Sequence, residues 1–163
     1  MMRRCVVALL LVVLLSSCDS NVVWSDSEAI SEGWNKDDVL IFQVPQLDTV
    51  QPYNVFINVR NSNDYPFNNL FLVASIQYPH GKIITDTLEY KMAYPDGQWM
   101  GAGVGSIKEN KLWFKENIRF SESGNYNITI TQAVRNIGEV DGVSQLPGIT
   151  DVGISIEEVT QEP

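Results

Sequence analysis

The chain has 163 residues and a formal net charge of −9, with 20 acidic against 11 basic side chains. A surface of that sign repels phosphates, which excludes nucleic acid as a partner. The two cysteines, Cys5 and Cys18, both lie near the N-terminus, so the rest of the chain must be stabilised by burying apolar surface, and a 44% hydrophobic composition is enough for one core and one domain.

At the N-terminus, Arg3 and Arg4 precede an unbroken apolar run from Cys5 to Leu15. That run is too short to cross a bilayer, which takes roughly 20 apolar residues. A charged start, a short apolar centre and a small-residue end describe a secretory signal peptide over residues 1–17. Leu15-Ser16-Ser17 followed directly by Cys18 is similar to the lipobox of bacterial lipoproteins. That resemblance implies cleavage between Ser17 and Cys18, a diacylglycerol on the Cys18 thiol, and acylation of the new amino group. Each buried methylene contributes about 0.8 kcal/mol and two or more acyl chains hold stably, so the expected membrane attachment is a lipid. Residues 18–33 are polar and acidic and read as a lipidated tether, its later part free to dock on the domain that follows.

From residue 34 to 160 the apolar pattern has the period of a strand, not of a helix. VLIFQV at 39–44 is the first strand. In YNVFINVR, Tyr53, Val55, Ile57 and Val59 fall on one face while Asn54, Asn58 and Arg60 fall on the other. LFLVASIQY at 70–78 is apolar on both faces and reads as a central strand. KIITDTLEY at 82–90 and KLWFKENIRF at 111–120 follow. NYNITITQAV repeats the alternation with Tyr126, Ile128, Ile130 and Val134, and DVGISIEEV repeats it with Val152, Ile154 and Ile156. Pro79-His80-Gly81, Pro95-Asp96-Gly97, Ser123-Gly124-Asn125 and Pro147-Gly148 supply turns between them. Residues 95–110 and 136–150 lack alternation and read as two long loops. The expectation is an all-β protein, an antiparallel β-sandwich of jelly-roll or Ig-like type with about seven to eight strands.

Candidate chemistry is sparse. His80, the one histidine, reads as an exposed turn residue. No nucleophile elbow, metal-binding helix pair or phosphate loop is present. The pairs Asp37-Asp38 and Glu157-Glu158 meet the two-carboxylate requirement of a glycosidase, but a solvated strand approach and a chain end explain both. NSNDYPFNN at 61–69 offers oxygens of the kind hard cations take, without the spacing of a cation loop; Asx turns explain it better. Trp99, Trp113, Tyr94 and Phe114 are candidates for a sugar-stacking platform. The reading is therefore of a protein that is not an enzyme and that carries no cofactor and no metal.

Several long blocks carry a resemblance. SSCDSN at the lipobox, GWNKDDVLIF at 33–42, QPYNVFINVRNSNDYPFNNLFLV at 51–73, DTLEY at 86–90, KENKLWFKENIRFSESGNY at 108–126 and LPGITDVGISIE at 146–157 resemble the GldH family of gliding-motility lipoproteins of Bacteroidota. The resemblance implies a cell-envelope lipoprotein anchored through Cys18; the periplasmic face of the outer membrane is the favoured location, with the inner membrane as the alternative that Asp19 directly after the cysteine raises. It also implies a non-enzymatic part in assembling a gliding machinery with other lipoproteins of that machinery. The rival expectation is a surface glycan-binding lipoprotein of nutrient uptake, which requires the aromatic residues exposed in a row. The lineage further implies O-glycosylation at Asp, then Ser or Thr, then an apolar residue. Asp48-Thr49-Val50 and Asp86-Thr87-Leu88 fit, with Thr49 expected to be the accessible acceptor and Thr87, inside a strand, the poorer one.

Overall fold

The computed structural model describes residues 21–159, so the signal segment 1–17 and the lipidation residue Cys18 lie outside the described residues. Among the described residues ten strands follow in chain order: β1 (Val22–Ala29), β2 (Trp34–Asn35), β3 (Leu40–Val44), β4 (Tyr53–Asn61), β5 (Asn69–Gln77), β6 (Ile83–Lys91), β7 (Lys108–Ile118), β8 (Tyr126–Gln132), β9 (Gln145–Leu146) and β10 (Ile149–Glu158). They make two four-stranded antiparallel sheets, ordered β1-β10-β4-β7 and β3-β8-β5-β6, and a small ribbon of β2 with β9.

This is the jelly-roll form of the sandwich. β1 pairs with β10, β3 with β8, β4 with β7 and β5 with β6. The chain is thus one long hairpin whose tip is the Pro79-His80-Gly81 turn, folded so that successive pairs fall in one sheet and then the other.

The alternation in the sequence is what the two sheets bury. Tyr53, Val55, Ile57 and Val59 of β4 with Val152, Ile154 and Ile156 of β10 form one inner face; Leu40, Phe42 and Val44 of β3, Ile128 and Ile130 of β8, and Leu70, Leu72, Ala74 and Ile76 of β5 form the other, and all are buried in one cluster. Fully burying a side chain of this size stabilises by roughly 1.5–3 kcal/mol. β5 lies between β8 and β6, as its apolar composition predicts, although only one of its faces is fully buried.

Two parts of the chain differ from the sequence reading. Residues 22–29, expected within the tether, are an edge strand paired to β10 from Val22 opposite Glu157 to Ala29 opposite Asp151. Their signal was invisible because only Trp24 of β1 is even partly buried, so no apolar alternation marks the strand. The loop expected at 95–110 ends where β7 begins at Lys108, and it is clasped by bridges of Ala93 with Trp99 and Ala102 with Glu109. The loop expected at 136–150 is likewise held, by β9 and by the side chain of Gln132. This glutamine is buried, donates Nε2–H to Val143 O at 2.6 Å, and accepts at Oε1 from Val134 N at 3.0 Å.

The strand directions give the sandwich two ends. Val22, Tyr53 and Glu158 share one end with the connections 45–52, 78–82 and 119–125; the connections 62–68, 92–107 and 133–148 occupy the other.

Candidate functional site

An open groove of about 540 Å³ runs over the outer face of the β1-β10-β4-β7 sheet. Its floor follows from the register. Gly153 stands opposite Ser27 of β1 and Asn58 of β4, and Asn58 in turn stands opposite Lys111 of β7. A Cβ at Gly153 would lie 2.6 Å from Asp26 O and 2.9 Å from Ser27 Cβ, so only glycine lets β1 close on β10 here. The missing side chain leaves the depression.

The groove's polar groups are largely committed to one another. Asn58 Nδ2 donates to Ser155 Oγ at 2.9 Å. Arg60 donates to Glu109 through both Nε and an ion-pair contact, and that carboxylate raises the guanidinium pKa above its usual value. Lys111 Nζ contacts Glu157 Oε1 at 2.6 Å and lies 4.2 Å from the centroid of the Phe56 ring. Phe56 also carries Trp113, with ring centroids 4.4 Å apart. A surface of paired ions around an aromatic pair can offer complementary contacts to a partner. Three carboxylates, Asp26, Glu109 and Asp151, line the groove; Glu109 is paired with Arg60, and Asp26 Oδ1 accepts from Ser27 N at 2.9 Å.

At the sandwich edge where β6 faces β7, Asp86 Oδ2 is buried and meets Lys115 Nζ at 2.5 Å. Tyr90 O–H donates to Trp113 O at 2.6 Å, and burial first, then the Asp86 charge, pushes its pKa up to about 12. These contacts join the two sheets where no backbone pairing does.

The residues singled out in the sequence are scattered. His80 is exposed at the hairpin tip with Nδ1 2.9 Å from Glu122 Oε2, a partner sequence spacing does not reveal. Asp37 and Asp38 are exposed, whereas Glu157 is only 18% exposed at its side chain and is held by Lys111, not simply solvated. In the 61–69 stretch the amides serve distant partners more than their own backbone. Asn61 is fully buried and accepts from Asn110 Nδ2 at 2.9 Å, Asn63 Oδ1 accepts from Trp99 Nε1 at 3.0 Å, and Asn69 Nδ2 donates to Glu89 at 3.0 Å. What remains local is a serine turn, in which Asp64 N donates to Ser62 Oγ at 3.2 Å. Among the described residues no group of three or more His, Cys, Asp or Glu side chains is placed to hold a metal ion.

The aromatic candidates do not form a row. Trp113 is 52% exposed on the outer face, Phe114 beside it points into the core at 7%, Trp99 is half-buried near Tyr65, and Tyr94 stands exposed in the 92–107 connection. Period-two alternation on β7 makes this unavoidable, since neighbours 113 and 114 must face opposite ways.

Thr49 and Thr87 reverse the expected order of access. Thr49 is half-buried, in a turn whose Asp48 Oδ1 accepts from Val50 N at 2.8 Å and Gln51 N at 3.3 Å. Thr87 is exposed, because β6 is a sheet edge and residue 87 lies on its outward face.

Comparison with known proteins places the chain. The profile of a family described as GldH lipoprotein matches residues 22–156. A protein of Christiangramia forsetii named gliding motility lipoprotein GldH homolog is 50% identical over 147 residues, covering 90% of each chain. The gliding motility lipoprotein GldH of Flavobacterium johnsoniae is 48% identical over 152 residues, covering 93% of this chain and 94% of its own. Among solved structures, that of infectious bursal disease virus Gx strain aligns with 82% of this chain and 29% of the viral one, at 12% identity and a TM-score of 0.37.

Proposed function

The chain belongs to the GldH lipoprotein family, and from that membership we propose that it is a lipid-anchored cell-envelope protein serving as a non-enzymatic assembly component of a gliding-motility machinery. The observation that carries this reading is identity of about half, spread over nine-tenths of the chain, with two proteins that bear gliding-motility names. A groove in which Arg60 is paired with Glu109, and Lys111 with Glu157, around an aromatic pair supports an interaction role. Its partners are the membrane, through acylated Cys18, and other lipoproteins of the same machinery. The favoured site is the periplasmic face of the outer membrane. For the rival glycan-binding reading, Trp113 and Tyr94 are exposed, but Phe114 faces inward and Trp99 is half-buried and tied to Asn63, so the four do not stand in a row.

A tagged chain expressed in its gliding host and solubilised in detergent is expected to co-purify with gliding-motility lipoproteins and to sediment with outer-membrane vesicles on a density gradient. Recovery alone, or with a glycan-uptake complex, would sink the assembly role, and recovery only in the inner-membrane fraction would sink the location.

We also propose O-glycosylation on this chain, with the folded side chains favouring Thr87 over Thr49. Peptide mass mapping of protein from the native host should find added hexose on the Thr87 peptide; lipid as the sole added mass rules the modification out.

A further inference from the structure

We infer that the sandwich stands on the membrane with the 45–52 connection and the start of β6 pressed against lipid headgroups; this rests on the lipid anchor proposed for Cys18. The argument begins with chain length. β1 starts at Val22, so only Asp19, Ser20 and Asn21 separate it from Cys18, and the fully extended chain from Cys18 to Val22 covers about 14 Å. An acylated cysteine sits at the headgroup level, and the headgroup region adds only roughly 5–8 Å beyond the hydrocarbon on each side. A tether that began the domain at residue 34 would leave it free to tumble; one that ends at residue 22 does not.

The topology then decides which surface meets lipid. Val22 pairs with Glu157, and Glu158 N donates to Asn21 O at 2.8 Å, so the chain enters at the end that holds connections 45–52, 78–82 and 119–125. The opposite end is a full strand away, about 30 Å for a strand of ten residues.

The side chains at the anchored end suit such a contact. Val50 is 77% exposed at the tip of its turn, and Ile83 is 60% exposed at the start of β6. A cation accompanies each of them. Arg119 Nε donates to Val50 O at 3.0 Å, and Lys82, next to Ile83, lies over the Tyr78 ring with Nζ 5.1 Å from its centroid. An apolar tip beside a guanidinium or ammonium is the pattern of a group that enters the interface while its charge stays with lipid phosphate. Of the acids at this end, Asp48 is held by the backbone of residues 50 and 51, Glu122 by His80 and Glu157 by Lys111, while Glu158 is exposed.

The test uses the full chain, acylated in the host and reconstituted in phosphatidylethanolamine and phosphatidylglycerol vesicles with brominated acyl chains. Beyond the lipidated Cys18 the mature sequence has no cysteine, so Val50→Cys, Ile83→Cys, Val104→Cys and Ile137→Cys each accept one fluorophore. Val104 and Ile137 are fully exposed in the opposite end's connections. Quenching is expected to be several-fold stronger at 50 and 83 than at 104 and 137. Equal quenching, or stronger quenching at 104 and 137, in protein whose mass shows the acyl chains would overturn the orientation while leaving the anchor intact. A mass without acyl chains would overturn the anchor and the orientation with it.

Discussion

Gly148→Ala is expected to destabilise the domain by about 3–4 kcal/mol, the largest effect of any alanine placed at a glycine. Gly148 has φ +79° at the turn between β9 and β10, and a Cβ there would stand 2.1 Å from Tyr65 N, 2.4 Å from Tyr65 Cα and 2.6 Å from Asp64 C. Those are backbone atoms, which cannot swing aside. They are also fixed from both sides. Ser62 N donates to Gly148 O at 2.7 Å, Tyr65 is buried with its O–H on Asn69 O at 2.6 Å, and the flanking Leu146 and Ile149 are in the core. The left-handed conformation alone costs an L-residue roughly 1–2 kcal/mol, and forced displacement of packed backbone adds a further roughly 1–3 kcal/mol. Gly97 supplies the control, since its φ is +87° but nothing lies within 4 Å of its Cβ position. With the signal and anchor removed for solubility, thermal unfolding should drop by about 10–15 °C for Gly148→Ala and only a few degrees for Gly97→Ala. Equal shifts for the two would mean that the 62–65 connection yields, and that the turn is not locked as described.

That close approach illustrates which features could be read from sequence. Strands with one buried and one wet face announced themselves, since Tyr53, Val55, Ile57 and Val59 must alternate to reach the core. β1 did not, because an edge strand supported only by backbone pairing to β10 leaves its side chains in water and free to be Ser25, Asp26, Ser27 and Glu28. The choice of jelly roll over Ig-like topology was equally hidden. It depends on which strands pair across long connections, and a residue such as Asn110 that fastens them is a polar group whose partners, Val59 and Asn61, lie far along the chain.

The surface groove was illegible for a related reason. Its members, Gly153, Asn58, Arg60 and Lys111, lie on three strands and meet only through register. One cue was present: Gly153 interrupts the Val152, Ile154, Ile156 strand, and a glycine inside a strand marks a close approach of another backbone, here that of Asp26. The aromatic platform failed on the opposite ground. Trp113 and Phe114 are neighbours in sequence, and in a strand neighbours are never on one face.

Removing the anchor is expected to have the greatest effect in the cell. Cys18 precedes every strand, so Cys18→Ser should leave the jelly roll folded while abolishing acylation. The domain would then be released into the periplasm or left with an uncut signal. Tethering raises the local concentration of a protein beside its partners without adding a contact, and avidity of this kind can be worth about 10²–10⁴ in apparent affinity. The short leash would add orientation to concentration, because only three residues lie between Cys18 and β1. A gliding host whose only copy carries Cys18→Ser should therefore lose colony spreading, with the protein present at normal level. Cys5→Ser, in the segment expected to be cleaved with the signal, should spread as before, which separates the lipid from a general need for the thiol. Normal spreading by a Cys18→Ser strain in which mass measurement confirms an unacylated chain would show that the anchor is dispensable and that membrane tethering is not how this domain reaches its partners.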